Sequence, residues 1–183
     1  MASDETSELV ERARTGGRDA WEALYRRVYP RLLAYAMRRV DAEAARDAVS
    51  ETMTRAVANI GRYRPVPGTG GFDGWLFGIC RHVVLDAQRA AGRRGYGPPP
   101  ETVSHVDPAE GLVSAEEADA VRQAFALLSD DDRELLELRV VAGLSAEEAA
   151  AALGRRPGAV RMAQSRALSR LRRFMAEVEG VSA

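Results

Sequence analysis

LSAEEAAAALGRRPGAVRMAQSRALSRLRR, from Leu144 to Arg173, is the stretch whose reading decides the fold. Ser145 with Glu148 three residues later forms a capping box, in which each side chain satisfies an orphan amide at a helix start. This predicts a helix from Ala146 to Leu153. Gly154 supplies a turn. Pro157 suits the first position of a second helix, because its missing amide has no partner there anyway. No further proline interrupts the stretch to Arg173, so the second helix spans roughly 17 residues, or about 25 Å. That is enough to lie along a major groove about 12 Å wide. The pair reads as a DNA-binding helix-turn-helix.

At 100° per residue the second helix divides into two arcs. Val160, Ala163, Ala167, Leu171 and Phe174 share one, flanked by Leu168 and Met175. Arg161, Ser165, Arg166, Arg170, Arg172 and Arg173 share the other. With Arg155 and Arg156, residues 155–173 hold seven arginines and no acid, in a chain of formal net charge −1. Such clustering is an electrostatic footprint for phosphates, since each neutralised phosphate releases counterions. The blander alternative is a solvated basic face. The capping box, turn glycine, proline and basic arc all agree on the former.

The rest of the composition narrows the class. At 183 residues the chain has room for one or two small domains, each with its own core. All 26 basic residues are Arg, a usage that a GC-rich genome also produces, and Arg is the better fork for phosphate and guanine. Cys80 is alone, so neither a disulfide framework nor a thiol metal site is expected. The opening MASDETSELVERAR is acidic and polar, and no stretch approaches 18 apolar residues. A cytoplasmic protein with no membrane insertion is expected.

From the start, Leu9, Val10 and Ala13 predict a short first helix closed by Gly16 and Gly17. Asp19 with Glu22 reads as a capping box opening a second, with Trp21, Leu24, Tyr25, Val28, Leu32 and Tyr35 at helical spacing and a bend at Pro30. A third, from about Ala42 to Ile60, places Ala45, Val49, Met53, Ala56, Val57 and Ile60 on one face and Asp47, Ser50, Glu51 and Arg55 on the other. RYRPVPGTGG, Arg62 to Gly71, is loop. Phe72, Trp75, Leu76, Ile79, Val83 and Ala87 then mark a fourth helix reaching about Arg94.

Between Gly95 and Ala115 periodicity disappears among four prolines and three glycines, which predicts a flexible linker. Residues 101–120 carry six acids and no arginine, a block that could shield a basic face. Helices resume over Ala118–Leu128 and, after Ser129, over Asp130–Val141. The expected fold is all-α, with two small helical domains at 1–94 and 116–183 joined by a linker at 95–115.

WEALYRRVYPRLLAYAMRRV, DAVSETMTRAV, FDGWLFGICRHVVLD and LSAEEAAAALGRRPGAVR, in this order and at these distances, resemble the extracytoplasmic-function group of bacterial RNA polymerase sigma factors. The resemblance covers about residues 8–175. It implies that the first domain is sigma region 2, which grips core polymerase and opens the promoter −10 element. The second is implied to be sigma region 4, which reads the −35 element and touches the polymerase flap. The implied protein is a promoter-specificity subunit without enzymatic activity or cofactor, commonly restrained in its family by an anti-sigma factor.

Carried over by position, the D-x-V-x-E pattern at Asp47, Val49 and Glu51, with Ser50 and Arg55 beside it, resembles the family's contact with the polymerase β′ clamp. Ser50 departs from the usual glutamine. The loop from Arg64 to Gly71, with Gly70 and Gly71 permitting close backbone approach, matches where the family captures a flipped −10 base. Arg81 and His82, on the arc opposite Phe72 and Trp75, read as strand contacts, alongside Arg89 and Arg93. Phe72 and Trp75 could stack on bases, but their spacing with Leu76 and Ile79 favours packing.

In the helix-turn-helix, Arg161, Met162, Ser165 and Arg166 align with the family's groove-reading positions, with Gly158 at the helix start. Arg155, Arg156 and Arg170 are expected on phosphates. Ala159, Met162, Ala163 and Gln164 stand where polar, serine, basic and apolar residues are usual, so an unusual or weak −35 preference is expected.

Other residues have plain readings. Asp130 to Asp132 after Ser129 form a capped, dipole-favoured helix start rather than a metal site. His105 has no second ligand nearby, and Cys80 reads as packing. No Ser/His/Asp or paired-carboxylate arrangement is discernible. The rival reading is a two-domain helix-turn-helix regulator acting without polymerase, which would have no use for the clamp-like and melting-like motifs.

Overall fold

The computed structural model describes residues 2–64, 70–93 and 115–181, with side chains over 5–64, 70–92 and 118–178. These residues form eight α-helices and no strand. They are α1 (Ala2–Arg14), α2 (Arg18–Met37), α3 (Ala42–Asn59), α4 (Gly71–Arg93), α5 (Ala115–Ala126), α6 (Asp130–Leu136), α7 (Ala146–Leu153) and α8 (Pro157–Val181). A 3-10 turn, Ile60–Arg62, follows α3, and a π-helical turn, Glu137–Val141, follows α6. The linker stretch and His105 lie outside the described residues.

Two local expectations are corrected. Asp19 and Glu22 do not form a capping box: Gly17 is the N-cap of α2, and no side chain caps it. The Gly17 amide bonds back to the Arg12 carbonyl at 2.9 Å, closing α1 directly before α2 begins at Arg18. Asp19 therefore lies inside the first turn, where it favours the dipole and pairs with Arg12, while Glu22 pairs with Arg26. The helix expected over 130–141 is α-helical only to Leu136. There the ladder widens, with the Ala142 amide bonding Glu137 O at 2.8 Å.

Val57, expected on the apolar face of α3, is half exposed. α2 runs through Pro30 without a break. Asp41 caps α3, accepting from the amides of Glu43 and Ala44 at 3.1 and 2.9 Å. Ser129 caps α6 through the Asp132 amide at 3.3 Å. Ser145 and Glu148 form the expected capping box, with reciprocal bonds of 3.1 and 2.6 Å.

The cores are not separate. Leu24, Leu32, Tyr35, Leu76, Phe77 and Val84 from the first four helices share one buried cluster with Leu135, Leu138, Leu144, Ala149 and Val160 from the second half. A smaller cluster, Leu128, Leu136 and Ala167 with Phe125, Leu168, Leu171 and Phe174, ties α5 and α6 to α8. The predicted apolar arc of α8 thus serves two cores, Val160 and Ala163 in the first and Ala167 to Phe174 in the second. α4 against α7 is the most extensive pairing of elements. A Cβ on Gly74 would lie 2.8 Å from Ala151 Cβ and 2.9 Å from Glu148 O, so only glycine permits this approach.

Candidate nucleic-acid interface

Gly154 closes α7 in the left-handed region, φ 64°, which it enters without a Cβ penalty. The Arg155 amide bonds Ala150 O at 2.9 Å, and α8 begins at Pro157 as expected. α8 continues past Arg173 to Val181, 25 residues in all. Arg155 and Arg156 in the turn, and Gly158, Arg161, Met162, Ser165 and Arg166 in the N-terminal half of α8, all lie exposed.

The arginines meet acids that are remote in sequence. Arg155 pairs with Asp131 at 2.7 Å and Arg161 with Glu147. Arg170 holds Asp132 by two hydrogen bonds, 2.8 and 2.7 Å. These bonds hold the Asp132 carboxyl below its ordinary range. Arg170, expected on a phosphate, thus has its fork on a carboxylate in this structure. Asp130 to Asp132 remain a capped helix start, and two of them also brace α8. Arg156, Arg166 and Arg172 hold no ion pair among the described residues, so they carry the unneutralised charge of this face.

In the first half, Asp47, Ser50, Glu51 and Arg55 line the exposed side of α3, and Val49 is buried beneath them. Glu51 and Arg55 pair along the helix at 2.7 Å, and the Ser50 hydroxyl donates to Arg46 O at 3.0 Å. Both carboxylates remain accessible to a partner.

Beside this face opens a cleft of about 340 Å³ between α3, the 3-10 turn and α4, lined by Arg55, Asn59, Arg62, Tyr63, Trp75, Ile79 and His82. Tyr63, Phe72 and Trp75 pack against one another, with ring centroids 5.1 to 6.0 Å apart. Phe72 is buried as predicted, whereas Trp75 is only partly buried and forms a wall of the cleft. The exposed His82 sets its Nδ1 2.7 Å from Gly78 O. A carbonyl can only accept, so Nδ1 carries a proton and donates it to Gly78 O. Arginine, aromatic rings and an imidazole around one opening suit an unstacked base and its phosphate.

The remaining predicted positions divide. Arg64 folds back on the carbonyls of Gly61 and Tyr63 at 2.7 and 2.9 Å, which fixes the turn entering the loop. Gly71 is exposed, and Gly70, with φ 79°, faces the α7 backbone. Arg89 is exposed and pairs with Asp86. Arg81 is not free for a strand in this arrangement, because Glu134 of α6 takes its guanidinium. The Arg93 side chain and residues 65–69 of the loop lie outside the described residues.

Sequence reasoning missed Asn59, Arg62 and Tyr63 as parts of the cleft; the basic and aromatic triplet Arg62-Tyr63-Arg64 was the available signal. It also missed Asp73. That buried carboxylate pairs with Arg27 and with Arg31, the latter at 2.5 Å, and sets the start of α4 against α2.

A helix-turn-helix with a basic exposed helix, joined to a helical unit bearing an aromatic basic cleft, defines a DNA-reading protein of two units. Residues 24–94 match the Sigma-70 region 2 family and residues 118–171 the Sigma-70, region 4 family. The chain is 36% identical over 183 residues to the ECF RNA polymerase sigma factor SigD of Mycobacterium tuberculosis, covering 94% of this chain and 84% of that protein. It is 37% identical over 189 residues to ShbA of Streptomyces griseus, also an ECF RNA polymerase sigma factor, covering 94% and 97%. The sigma factor RpoE of Bartonella quintana, solved with the anti-sigma factor NepR, superposes with a TM-score of 0.65 at 27% identity, covering 85% and 96%. The chain belongs to the extracytoplasmic-function group of sigma-70 RNA polymerase sigma factors. Sigma factors are in general regulators without enzymatic activity, and no described helix is long and apolar enough to cross a membrane.

Proposed function

We propose that this sigma factor binds core RNA polymerase through the exposed side of α3 and directs it to promoters by a two-point reading of DNA. Asp47, Ser50, Glu51 and Arg55 form the clamp contact, where two accessible carboxylates suit a basic partner. The cleft of Arg55, Asn59, Arg62, Tyr63, Trp75 and His82 receives a base unstacked from the −10 element. Arg64, Gly70, Gly71, Arg81, His82, Arg89 and Arg93 contribute contacts around the melted strand. At the −35 element, Arg161, Met162, Ser165 and Arg166 face base edges, Arg155 and Arg156 hold phosphates, Gly158 lies at the helix start and Arg170 braces α8 from behind.

The observation that carries this reading is the aromatic, basic cleft next to an open acidic helix face. A stand-alone DNA-binding regulator would have use for neither. The working units are residues 1–94 and 116–183 with a linker at 95–115. The protein acts in the cytoplasm without catalysing a reaction of its own, and an anti-sigma factor restrains it. Run-off transcription on genomic promoter templates, with core polymerase alone, the chain alone and both together, tests the reading. Specific transcripts are expected only from the combination.

A further inference from the structure

Resting on the −35 reading, in which Arg161 faces base edges, an acid of α7 enters the same site. Arg161 Nη2 on α8 donates to Glu147 Oε1, which stands in the first turn of α7, 14 residues earlier. Both ends of this pair are held from below. Val160 and Ala146, the residues just before the two partners, are buried in one apolar cluster. The capping box of Ser145 and Glu148 fixes the turn that carries Glu147.

The ion pairs of α8 differ in setting. Asp132, which holds Arg170, is only 11% exposed, as suits a brace between helices. Arg161 and Glu147 are 59% and 37% exposed, and Arg161 shares its arc with the exposed Ser165. An ion pair this open to water adds little to folding. Its effect falls on the guanidinium itself.

That fork carries five N–H donors in one plane, and Glu147 engages a single nitrogen. A bidentate grip on guanine O6 and N7 needs only two donors, so enough remain. Meanwhile a long side chain is held in one place before DNA arrives, which lowers the ordering cost of binding. The carboxylate also acts against wrong targets. It repels phosphate oxygens, so Arg161 beside Glu147 is a poorer general phosphate contact than a lone arginine. A G·C pair offers both partners what they need, the O6 and N7 acceptors for the fork and the cytosine N4 donor for the carboxylate.

We infer that Glu147 is a positioning residue for Arg161, and that the two together select a G·C pair within the −35 element. Glu147 thereby lowers the general affinity of α8 for DNA and raises its discrimination.

Run-off transcription by core polymerase with the full-length chain tests this, on a pool of templates built from one responsive promoter and randomised across the −35 element. Arg161→Ala identifies the position that Arg161 reads, as the one where guanine enrichment disappears. Glu147→Gln is expected to reduce guanine enrichment about fivefold at that same position and to leave the others unchanged. Binding of the same holoenzyme to a promoter-free duplex is expected to tighten about twofold, with a steeper salt dependence, because one negative charge has left the interface. A carboxylate that only supported the fold would lower transcription at every position alike and would not tighten promoter-free binding. Unchanged guanine enrichment in Glu147→Gln, a loss spread evenly over all positions, or weaker promoter-free binding overturns the assignment. So does the lack of any position at which Arg161→Ala acts. No transcript from the wild-type chain on any template would instead overturn the sigma-factor reading.

Discussion

The Arg81 guanidinium on α4 grips the Glu134 carboxylate on α6 at two points, across 53 residues of sequence. The same carboxylate takes the Tyr35 hydroxyl, so three helices converge on one acid. Glu134→Ala leaves Arg81 and Arg39 facing a void, and loss of one partner from a buried network typically costs about 3 kcal/mol. Urea unfolding of the full chain is expected to show a loss of that order. A change below about 0.5 kcal/mol would mean that the halves do not pack this way in solution.

Arg161 and Arg156 are expected to differ in kind. Arg161→Ala should weaken binding of −35 duplexes by about 1 to 3 kcal/mol while leaving scrambled duplexes nearly unchanged, as for an arginine on a base edge. Arg156→Ala should weaken both alike and lower the salt slope by about one. Fluorescence anisotropy at several salt concentrations separates the two. Arg170→Ala, by contrast, should act first on stability, since its fork is already spent on Asp132.

Asp132 supplies the pH dependence. Its folded carboxyl is lowered, first by the hydrogen bond from Arg170 and further by Ser129 and the nearby Arg166. A group with a depressed folded pKa contributes stability that is present above its unfolded value, about 3.9, and lost as pH falls through the folded value. The stability gap between wild type and Asp132→Asn should therefore be full near pH 6 and shrink as pH drops below about 4. Urea midpoints from pH 7 to 2.5 check this, and a gap independent of pH would contradict the pairing.

Trp75→Ala and Tyr63→Ala remove walls of the cleft. Each is expected to weaken binding of a single-stranded −10 oligonucleotide by the polymerase-bound chain by about 1 to 3 kcal/mol, the usual worth of a stacking ring. Duplex −35 binding should stay unchanged in the same preparations. Equal loss on both would assign the rings to folding alone.

Much of this molecule is legible along the chain, because helix signals are local. The Ser145 and Glu148 box, the Gly154 turn and the apolar arc of α8 all occur within one or two turns of the residues they govern. The outward face of α3 followed from the burial of Val49 between Asp47 and Glu51. What was not legible is what depends on distant partners. Asp131, Asp132 and Glu147 neutralise arginines that look unopposed in sequence, because α6 and α7 pack on α8. Gly74 and Gly78 read as ordinary helix glycines until α7 is laid against them, and the union of the two cores had no local sign at all. Arg81 lies on the polar arc of α4, as its spacing indicated, but no periodicity could show that its occupant is Glu134.

The central claim is that this chain makes core polymerase promoter-specific, and reconstituted run-off transcription tests it most directly. Purified chain with core polymerase should yield discrete transcripts from a defined set of genomic promoters, with none from either component alone. Tight binding to core with no specific transcript from any promoter would contradict the account.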